Sequence, residues 1–343
     1  MRVLVAGGAG YIGSHTCKAL AQAGHLPIVY DNLQTGHAWA VKWGPLEQGD
    51  LNDAAVLGEV MRRHRPNAVI NFAALAYVGD SMREPTLYYR TNVGGMISLL
   101  TAMRAHGVGS IVFSSSCATY GVPERLPIVE DMRQEPINPY GRSKRMGEEI
   151  MRDACAAHGI GAVALRYFNA AGADAEGEIG EEHDPETHLI PLVLQAAAGL
   201  RRSISVFGTD YETPDGTCIR DYVHVSDLAL AHVAALSACR AGQYSAFNLG
   251  TGRGVSINEV IVRSRAITGR PIVADAEARR PGDPPVLIAD ASLASTTLGW
   301  RPQCSDIDNI IHTTWDWMTT NRMRVSDRCL SAPTVDGEHS SGS

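Results

Sequence analysis

The sequence predicts an α/β fold, a doubly wound parallel sheet joined to a smaller C-terminal α/β lobe, and three observations lead to this fold class. The chain opens on an apolar, strand-like run at residues 3–6, which ends in a cluster of glycines and passes into a helix-like pattern. Strand-like and helix-like segments then alternate to about residue 170, which is typical of a parallel sheet covered by helices on both faces. Beyond that point the alternation loosens, since residues 172–188 are acidic and glycine-rich and residues 208–216 are rich in Asp, Thr and Pro.

These patterns divide the chain of 343 residues into three parts. We expect residues 1–170 to form the main sheet domain, to which later segments return, and residues 171–330 to form a smaller lobe. Ligands bind at the carboxyl edge of open parallel sheets, so we expect the smaller lobe to cover that edge and to hold a substrate. Residues 331–343 are small and polar and are expected to be a disordered tail.

The composition excludes several classes of protein. With 45% hydrophobic and 20% charged residues the chain is ordinary for a globular protein with a sizeable core. A net charge of −7 argues against a nucleic-acid partner. Seven cysteines without paired or zinc-type spacing indicate a reducing compartment. Because a strand occupies the N-terminus and no apolar run could cross a membrane, we expect a cytoplasmic protein with no signal peptide and no membrane partner.

The glycine cluster carries the first functional prediction. It fits two registers, Gly8-x-Gly10-x-x-Gly13 and Gly7-x-x-Gly10-x-x-Gly13, and it lies between a strand and a helix. Glycines let the backbone turn tightly and approach a pyrophosphate, while the helix that follows offers free N–H groups. A glycine triplet alone is a weak signal and an ordinary tight turn is the alternative. Its place directly after a first strand predicts a dinucleotide-binding βαβ unit.

The next two strands carry acidic residues at their ends. The second, Leu26–Asp31, ends on Asp31, about eighteen residues after the last glycine. An acid there can accept hydrogen bonds from the adenosine ribose hydroxyls and repel a 2′-phosphate, which favours NAD over NADP. The alternative is a carboxylate that only ends the strand. Asp50 and Leu51 follow a third, short strand, where they are expected to border the adenine or to be ordinary loop residues.

The remaining elements follow in order. A helix is predicted over residues 54–64, and residues 68–74 form an apolar strand whose small final residues leave room for a cofactor. The later predictions are a long helix at 88–106, a strand at 110–116, strands at 204–207, 246–249 and 272–274, and helices at 226–241 and 256–268.

The catalytic prediction rests on Tyr140, Lys144 and Ser116. Tyr140 and Lys144 lie at the start of a predicted helix, so they share one face and are one turn apart. A phenol with a pKa near 10 is a poor base at neutral pH. A neighbouring ammonium and a positive nicotinamide ring should lower that pKa, which makes Tyr140 a candidate general base. Ser116, at a strand end, can hydrogen-bond a substrate hydroxyl. Tyr-x-x-x-Lys is common by chance, and its place after the glycine loop and Asp31 makes it specific.

Over residues 2–317 the chain resembles the extended short-chain dehydrogenase/reductase superfamily, which has a Rossmann-type sheet, and within it the UDP-glucose 4-epimerase family. The segments that carry the resemblance are 7–13, 31–33, 72–74, 78–81, 114–116, 138–144, 166–172, 213–217, 220–224 and 280–283. The resemblance implies an isomerase with tightly bound NAD that inverts C4 of UDP-glucose and UDP-galactose through a transient 4-keto intermediate. It also implies a homodimer.

The resemblance assigns site residues to two groups. Those implied to bind NAD are Gly7, Gly10, Tyr11, Ile12, Gly13, Asp31, Asn32, Asp50, Leu51, Phe72, Ala73, Ala74, Asn92, Ser114, Tyr140, Lys144, Tyr167 and Phe168. Those implied to contact the UDP-sugar are Ser116, Tyr140, Asn169, His188, Leu189, Ser205, Phe207, Arg220, Tyr222, Arg280, Asp283 and Leu287. Arginine suits bidentate binding of phosphates, with surface arginines as the alternative.

Some positions depart from the family. Ala76 stands where many relatives have a lysine that helps to hold the NAD phosphates, and Leu287 stands where some carry a tyrosine beside the sugar. Residues 182–188 contain histidines and acids, but they lie in a proline-broken loop rather than on one helix face, so we expect no metal.

Three alternatives stay open. A nucleotide-sugar 4,6-dehydratase needs an acid–base pair after the serine-rich strand, and those places hold Cys117 and Ala118. A 4-epimerase of UDP-pentoses or UDP-N-acetylhexosamines would share every motif above. A dinucleotide-sensing module that performs no chemistry would have no need of Tyr140 and Lys144 together.

Overall fold

The computed structural model describes residues 1–280 and 283–330. In chain order the strands are β1 (Arg2–Ala6), β2 (Leu26–Asp31), β3 (Leu46–Gln48), β4 (Ala68–Asn71), β5 (Ser110–Ser116), β6 (Gly161–Tyr167), β7 (Asn169–Ala171), β8 (Ile204–Phe207), β9 (Ile219–His224), β10 (Tyr244–Leu249), β11 (Gly254–Ser256), β12 (Ala274–Glu277) and β13 (Val286–Leu287). The helices are α1 (Tyr11–Gln22), α2 (Ala54–His64), α3 (Val78–Arg83), α4 (Pro85–Tyr88), α5 (Gly95–Ala105), α6 (Pro139–His158), α7 (Leu189–Ala197), α8 (Val225–Leu236), α9 (Ile257–Thr268), α10 (Ser292–Leu298) and α11 (Ile307–Leu330).

Seven strands form the main sheet, in the order β10-β6-β5-β4-β1-β2-β3. All of the neighbouring pairs are parallel. The chain adds strands outward from β1 to β3 and then returns to place β4 on the other side of β1. The order therefore reverses between β1 and β4, and a crevice opens there at the carboxyl edge of the sheet, where open α/β sheets bind ligands.

Helices cover both faces of this sheet, which confirms the predicted doubly wound α/β class. On one face α2, α5 and α6 bury apolar side chains that include Leu57, Met103 and Met151. On the other face α1 and α8 bury a second apolar layer that includes Leu20 and Leu228. The strands between them are apolar on both faces, as a sheet covered on both sides requires.

The two smaller sheets are built from strands that come after β6 in the chain. Strands β11, β9 and β13 form one sheet, to which β7 adds by pairing with β9, and β12 pairs with β8 in a two-stranded sheet. A third apolar core lies among α7, α9 and α11 and includes Val193, Val260 and Ile310. The return of β10 to the main sheet agrees with the prediction that later segments rejoin it.

Several predicted element bounds need correction. The helix predicted at 88–106 is divided, because a π-helical segment, Tyr89–Gly94, lies between α4 and α5. The strand predicted at 68–74 ends at Asn71, whose side chain accepts a hydrogen bond from the N–H of Ala73 and turns the chain. The strand predicted at 272–274 is β12, two residues later, because Ile272 is buried in the third core instead.

Two further predictions end differently. The helix predicted at 226–241 ends at Leu236. The predicted tail, residues 331–343, lies outside the described residues. Among the described residues, no helix is both long and apolar enough to span a membrane.

Candidate active site

The glycine loop joins β1 to α1 and is shaped by close backbone approaches. Gly7 has a φ of +76°, and a Cβ there would lie 2.6 Å from the backbone nitrogen of Ala73. A Cβ on Gly13 would lie 2.1 Å from the carbonyl oxygen of Gly7, so glycine is required at both places. Helix α1 begins after Gly10, which gives no side-chain cap, and its first turn has no acidic residue. The first N–H groups of α1 are therefore available to an anion.

Asp31 ends β2 and lies buried beside this loop. Its carboxylate oxygens accept hydrogen bonds from the N–H of Ala9 at 3.0 Å and the N–H of Leu33 at 2.9 Å. The side chain of Asn32 donates to Asp50 at 2.8 Å, which ties the ends of β2 and β3 together. The structure thus brings the predicted adenosine-side residues to one place. Asp31 also supports the backbone of the loop, and a carboxylate keeps lone pairs free for ribose hydroxyls.

Asn92 lies in the π-helical segment and bonds to the protein through every polar atom of its side chain. Its oxygen accepts from the N–H of Leu75 at 2.8 Å, and its nitrogen donates to the carbonyl of Leu75 at 3.0 Å and to Ser143 Oγ at 2.9 Å. Asn92 therefore fixes the loop after β4 against α6, one residue away from Lys144. The predicted residues of that loop are Phe72, Ala73 and Ala74, which directly follow β4.

Helix α6 begins where the sequence predicts, because two residues favour its start. The side chain of Asn138 accepts a hydrogen bond from the N–H of Gly141 at 2.8 Å and caps the helix. Pro139 occupies the first turn, where its missing N–H has no cost. Tyr140 and Lys144 follow one turn apart, on the face toward the end of β5.

The candidate catalytic side chains meet at that end. The Lys144 ammonium donates to the carbonyl oxygen of Ser114 at 2.7 Å and lies 5.7 Å from the centre of the Tyr140 ring. The hydroxyls of Ser114 and Tyr167 are hydrogen-bonded to each other. Ser116 is buried and caps the turn after β5 by accepting from a backbone N–H. The structure therefore brings the three predicted catalytic residues together with Ser114 and Tyr167, which were predicted to bind the cofactor.

Burial is the largest influence on the protonation of this site in the protein alone. Burial raises the pKa of the Tyr140 phenol, and Tyr167 adds to the rise, while the hydrogen bond with Ser116 lowers it. Burial also lowers the pKa of Lys144 to about 7, although the Glu148 carboxylate raises it. We expected Lys144 to lower the pKa of Tyr140. Desolvation disfavours both charged forms in the protein alone, and the expectation for the NAD-bound site, where the nicotinamide ring adds a positive charge, stays a prediction.

A buried charge network that was not predicted from the sequence lies behind Lys144. Glu148 Oε2 lies 2.6 Å from Arg166 Nη2, and its carboxylate also accepts from Ser115 Oγ at 2.5 Å and from the hydroxyl of Tyr244 at 2.9 Å. Glu148 follows Lys144 by four residues, so both lie on one face of α6. The four-residue spacing of Lys144 and Glu148 was the feature of the sequence that could have indicated this network. The network holds the end of β5, and the negative charge of Glu148 raises the pKa of Lys144.

The predicted phosphate and uracil residues lie on the smaller sheets or, for Arg280, in the segment that follows β12. Arg220 is buried on β9, with Nη2 at 2.5 Å from Asp283 Oδ1. The Arg280 guanidinium lies 4.0 Å from the centre of the Phe207 ring. Ser205 lies two residues before Phe207 on β8, so their side chains are on the same face of the strand. The second predicted arginine is therefore adjacent to the predicted uracil residues.

Three residues predicted to contact the UDP-sugar, Asn169, Tyr222 and Leu287, lie on β7, β9 and β13 of one smaller sheet. Asn169 is in register with Tyr222 across β7 and β9, and Leu287 is in register with Arg220 across β9 and β13. Leu287 packs against an apolar cluster that contains Phe168. Strand pairing, rather than proximity in sequence, brings Asn169 beside Tyr222 and Leu287 beside Arg220.

His188 and Leu189 stand at the start of α7. The Nδ1 atom of His188 contacts the carboxylate of Glu181, and half of the His188 side chain is exposed. As expected, the acids and histidines of this loop do not lie on one helix face, but the loop itself brings four of them together.

These features fit NAD as the cofactor. The uncapped N-terminus of α1 can accept the pyrophosphate, Asp31 can accept the adenosine ribose hydroxyls, and Lys144 and Tyr140 lie further along the same sheet edge, where the nicotinamide end would reach. Fold and site together define a dinucleotide-dependent enzyme of the short-chain dehydrogenase/reductase type.

Comparison with known proteins gives the particular family. The model of the NAD dependent epimerase/dehydratase family matches residues 3–250, and the chain belongs to this family. It is 50% identical over 316 residues to the UDP-glucose 4-epimerase of Rhizobium leguminosarum bv. trifolii, covering 92% of this chain and 96% of that protein. The predicted cofactor and the predicted enzyme class are thereby confirmed.

Solved structures agree with this assignment. The UDP-glucose 4-epimerase of Brucella ovis in complex with NAD matches with a TM-score of 0.89 and 56% identity, covering 92% of this chain and 97% of that one. The UDP-glucose 4-epimerase of Bifidobacterium longum in complex with NAD⁺ and UDP matches with a TM-score of 0.90 and 38% identity, covering 94% and 99%.

Proposed function

We propose that this enzyme interconverts UDP-glucose and UDP-galactose by inverting the configuration at C4 of the sugar. The observation that carries the proposal is the meeting of Tyr140, Lys144 and Ser116 at the sheet edge, next to a lobe in which Arg220 can hold a diphosphate. The site thus combines a candidate base with an anchor for UDP, in a family whose members use NAD.

Each side chain has a defined task in this reaction. Tyr140, as the phenolate, removes the proton from O4, and Ser116 hydrogen-bonds the same oxygen and holds it toward the base. Lys144 in its ammonium form stabilises the phenolate by charge. Bound NAD would supply the hydride acceptor for C4 and the hydride donor for the second half of the reaction. Tyr140 then gives its proton back to the oxygen.

Inversion requires the sugar to present its other face while UDP stays in place. We assign Arg220 and Arg280 to the diphosphate, Phe207 and Ser205 to the uracil, and Asp283 to a uridine ribose hydroxyl. The ion pair between Arg220 and Asp283 keeps this anchor rigid. Few fixed contacts to the sugar itself are expected, because a ring held firmly could not turn over.

The direct test is to incubate the purified protein with UDP-galactose and to measure UDP-glucose by chromatography. Tyr140→Phe keeps the ring and removes the base, so we expect kcat to fall by about a hundredfold to ten-thousandfold while NAD remains bound. A Tyr140→Phe enzyme within twofold of the wild type would contradict the assignment of the base. A product lighter by one water would instead identify a dehydratase.

We further propose that the enzyme is a cytoplasmic homodimer. Six cysteines are free thiols, which suits a reducing compartment, and they are Cys17, Cys117, Cys155, Cys218, Cys239 and Cys304. Apolar side chains are exposed on four consecutive helices, α3 to α6, and they are Val78, Met82, Leu87, Ile97 and Met146. Exposed apolar side chains on adjacent helices are typical of a surface that pairs with a second copy.

A further inference from the structure

The loop before α7 gathers four side chains that can bind a metal. They are Glu181, His183, Glu186 and His188, and the ligand atoms they offer all lie within 4.8 Å of one another. All four come from one stretch of eight residues. His188 is among the residues implied to contact the UDP-sugar. Glu181, His183 and Glu186 have no predicted part in catalysis or in binding UDP.

The atoms that face the centre of this cluster are well defined. His183 Nδ1 lies 3.1 Å from Glu181 Oε1 and 3.7 Å from Glu186 Oε2. His188 Nδ1 lies 3.8 Å from Glu186 Oε1 and closer still to Glu181. Four ligands at about 2.0–2.1 Å from a tetrahedral zinc ion are separated from one another by about 3.3 Å. The observed separations span that value.

Burial and charge make the cluster unusual. The side chains of Glu181 and Glu186 are 1% and 6% exposed, and that of His183 is 16% exposed. Within the described ranges, neither glutamate forms an ion pair with a lysine or an arginine. His183 Nδ1 is buried and makes no hydrogen bond of good geometry to a described residue, although it points between the two carboxylates. The two buried carboxylates carry two negative charges, which one divalent cation bound through both of them would cancel in place of protonated histidines.

We propose that these four side chains bind one Zn²⁺ ion, the histidines through Nδ1 and each glutamate through one carboxylate oxygen. Two imidazole nitrogens and two carboxylate oxygens suit zinc, whereas Mg²⁺ and Ca²⁺ prefer ligand sets made of oxygen alone. Four protein ligands leave no position open for a substrate, so the site is structural.

The surroundings indicate what the ion would stabilise. The carbonyl of Glu181 accepts a hydrogen bond from the indole of Trp317 at 3.3 Å, and the carbonyl of Glu182 accepts one from His37 at 2.9 Å. The His183 ring packs edge-on against Tyr11, in the first turn of α1, with ring centres 6.3 Å apart. Zinc at this place would brace residues 181–188, the loop that leads into α7 and packs against Tyr11 of α1.

The test measures metal binding by the untagged, full-length protein with its NAD. The protein is dialysed with ZnCl₂, freed of excess metal, and analysed for zinc per chain, while CoCl₂ in a parallel sample reports the geometry through its visible absorption. His183→Gln removes one ligand, and His106→Gln, an exposed histidine elsewhere, is the matched control. We expect one zinc per chain and the intense bands of tetrahedral cobalt in the wild type and in His106→Gln, and zinc affinity weaker by ~100-fold or more in His183→Gln.

Other outcomes would overturn the proposal. Wild-type protein that retains no zinc and gives only the weak spectrum of hydrated cobalt would show that the cluster is a network of carboxylates and protonated histidines. Zinc retained equally by His183→Gln would place the ion elsewhere. If His183→Gln does not fold, Glu186→Gln takes its place as the variant that lacks one ligand. Less zinc in Glu186→Gln than in the wild type, together with a tetrahedral cobalt spectrum of the wild type, supports the proposal, and equal zinc contradicts it.

Discussion

At the scale of single residues, His232 shows what burial does to a titratable group. The imidazole lies on α8 between the rings of Phe72 and Tyr167, with ring centres 4.5 and 6.1 Å away. Its Nδ1 is hydrogen-bonded to the carbonyl of Leu228 at 2.8 Å, and no described residue pairs with its Nε2. Burial lowers the pKa of His232 to about 4, so the ring is neutral at physiological pH.

This pKa has a measurable effect on stability. The unfolded chain binds the proton below a pKa of 6.5, whereas the folded protein binds it only below about 4. The unfolded state therefore holds more protons between these values, and the free energy of unfolding falls as the pH drops from 6.5 to 4. His232→Leu should remove up to about 3 kcal/mol of that fall. Urea unfolding across this pH range measures it, and His106→Gln should keep the wild-type slope. An unchanged slope in His232→Leu would contradict the prediction.

Residue identities could be predicted here, and their electrostatics could not. Tyr140, Lys144 and Ser116 follow from spacing and from the order of strands, and the structure places them together. The direction of the pKa shifts depends on how much water each group loses. That quantity depends on packing by residues distant in sequence, such as Tyr167 against Ser114, and no local pattern encodes it.

At the scale of elements, α6 carries both the chemistry and its support. Tyr140, Lys144 and Glu148 follow one another at intervals of four residues along one face, and Glu148 meets Arg166 of β6 in the buried network. Removing one partner of a buried ion pair leaves the other charge without compensation.

We therefore expect Glu148→Gln to lower the free energy of unfolding by about 3 kcal/mol. Denaturant unfolding measures this change. The double variant Glu148→Gln/Arg166→Met removes the stranded charge and should recover part of the loss. An exposed pair on the same helix, Arg145 and Glu149, provides the control, because Glu149→Gln should cost less than about 1 kcal/mol. Equal effects of Glu148→Gln and Glu149→Gln would contradict the role of burial.

Strand β13 carries a prediction about the substrate. Leu287 packs beside Phe168 and lies next to Arg220 across the sheet, so its side chain is well placed to limit the space near the sugar. We expect the wild type to prefer UDP-glucose and UDP-galactose and to turn over UDP-N-acetylglucosamine weakly, with kcat/KM about ten- to two-hundredfold lower.

Leu287→Gly should raise the activity on the acetylated sugar, and Leu287→Tyr should abolish it while sparing UDP-galactose, because a larger side chain overlaps an N-acetyl group. Steady-state kinetics of both variants on both substrates measure this selectivity. Parallel losses on the two substrates would show that Leu287 only packs the apolar cluster.

Regular elements were predictable where a single pattern determines them. Strands β2 and β5 and helix α2 have the predicted bounds, because apolar runs and the Asp53 cap define their ends. The π-helical turn before α5 was not predictable, since an extra residue per turn leaves the local composition unchanged. Nor was the gathering of His183 and His188 with two glutamates, because it depends on the path of an irregular loop.

At the scale of the whole molecule, the proposed homodimer can be tested by charge insertion. Ile97 is exposed on α5, on the face of the sheet covered by α2, α5 and α6. A glutamate there would be buried without a partner at an interface between two copies. Light scattering after gel filtration should give twice the chain mass for the wild type and a single chain for Ile97→Glu. Leu230→Glu, exposed on α8 over the opposite face, should stay dimeric. Monomeric wild-type protein would contradict the proposal.

The return of β10 to the main sheet has a consequence for how the protein is made. Strand β6 pairs with β5 on one side and with β10 on the other, and β10 ends only at Leu249. A ribosome must therefore add more than 75 residues after β6 before its open edge is covered. During that interval an apolar strand offers unpaired N–H and C=O groups to other nascent chains. Synthesis that stalls in this stretch would yield aggregation-prone fragments. The nascent chain is protected from aggregation through this edge only after β10 has been made and has paired with β6.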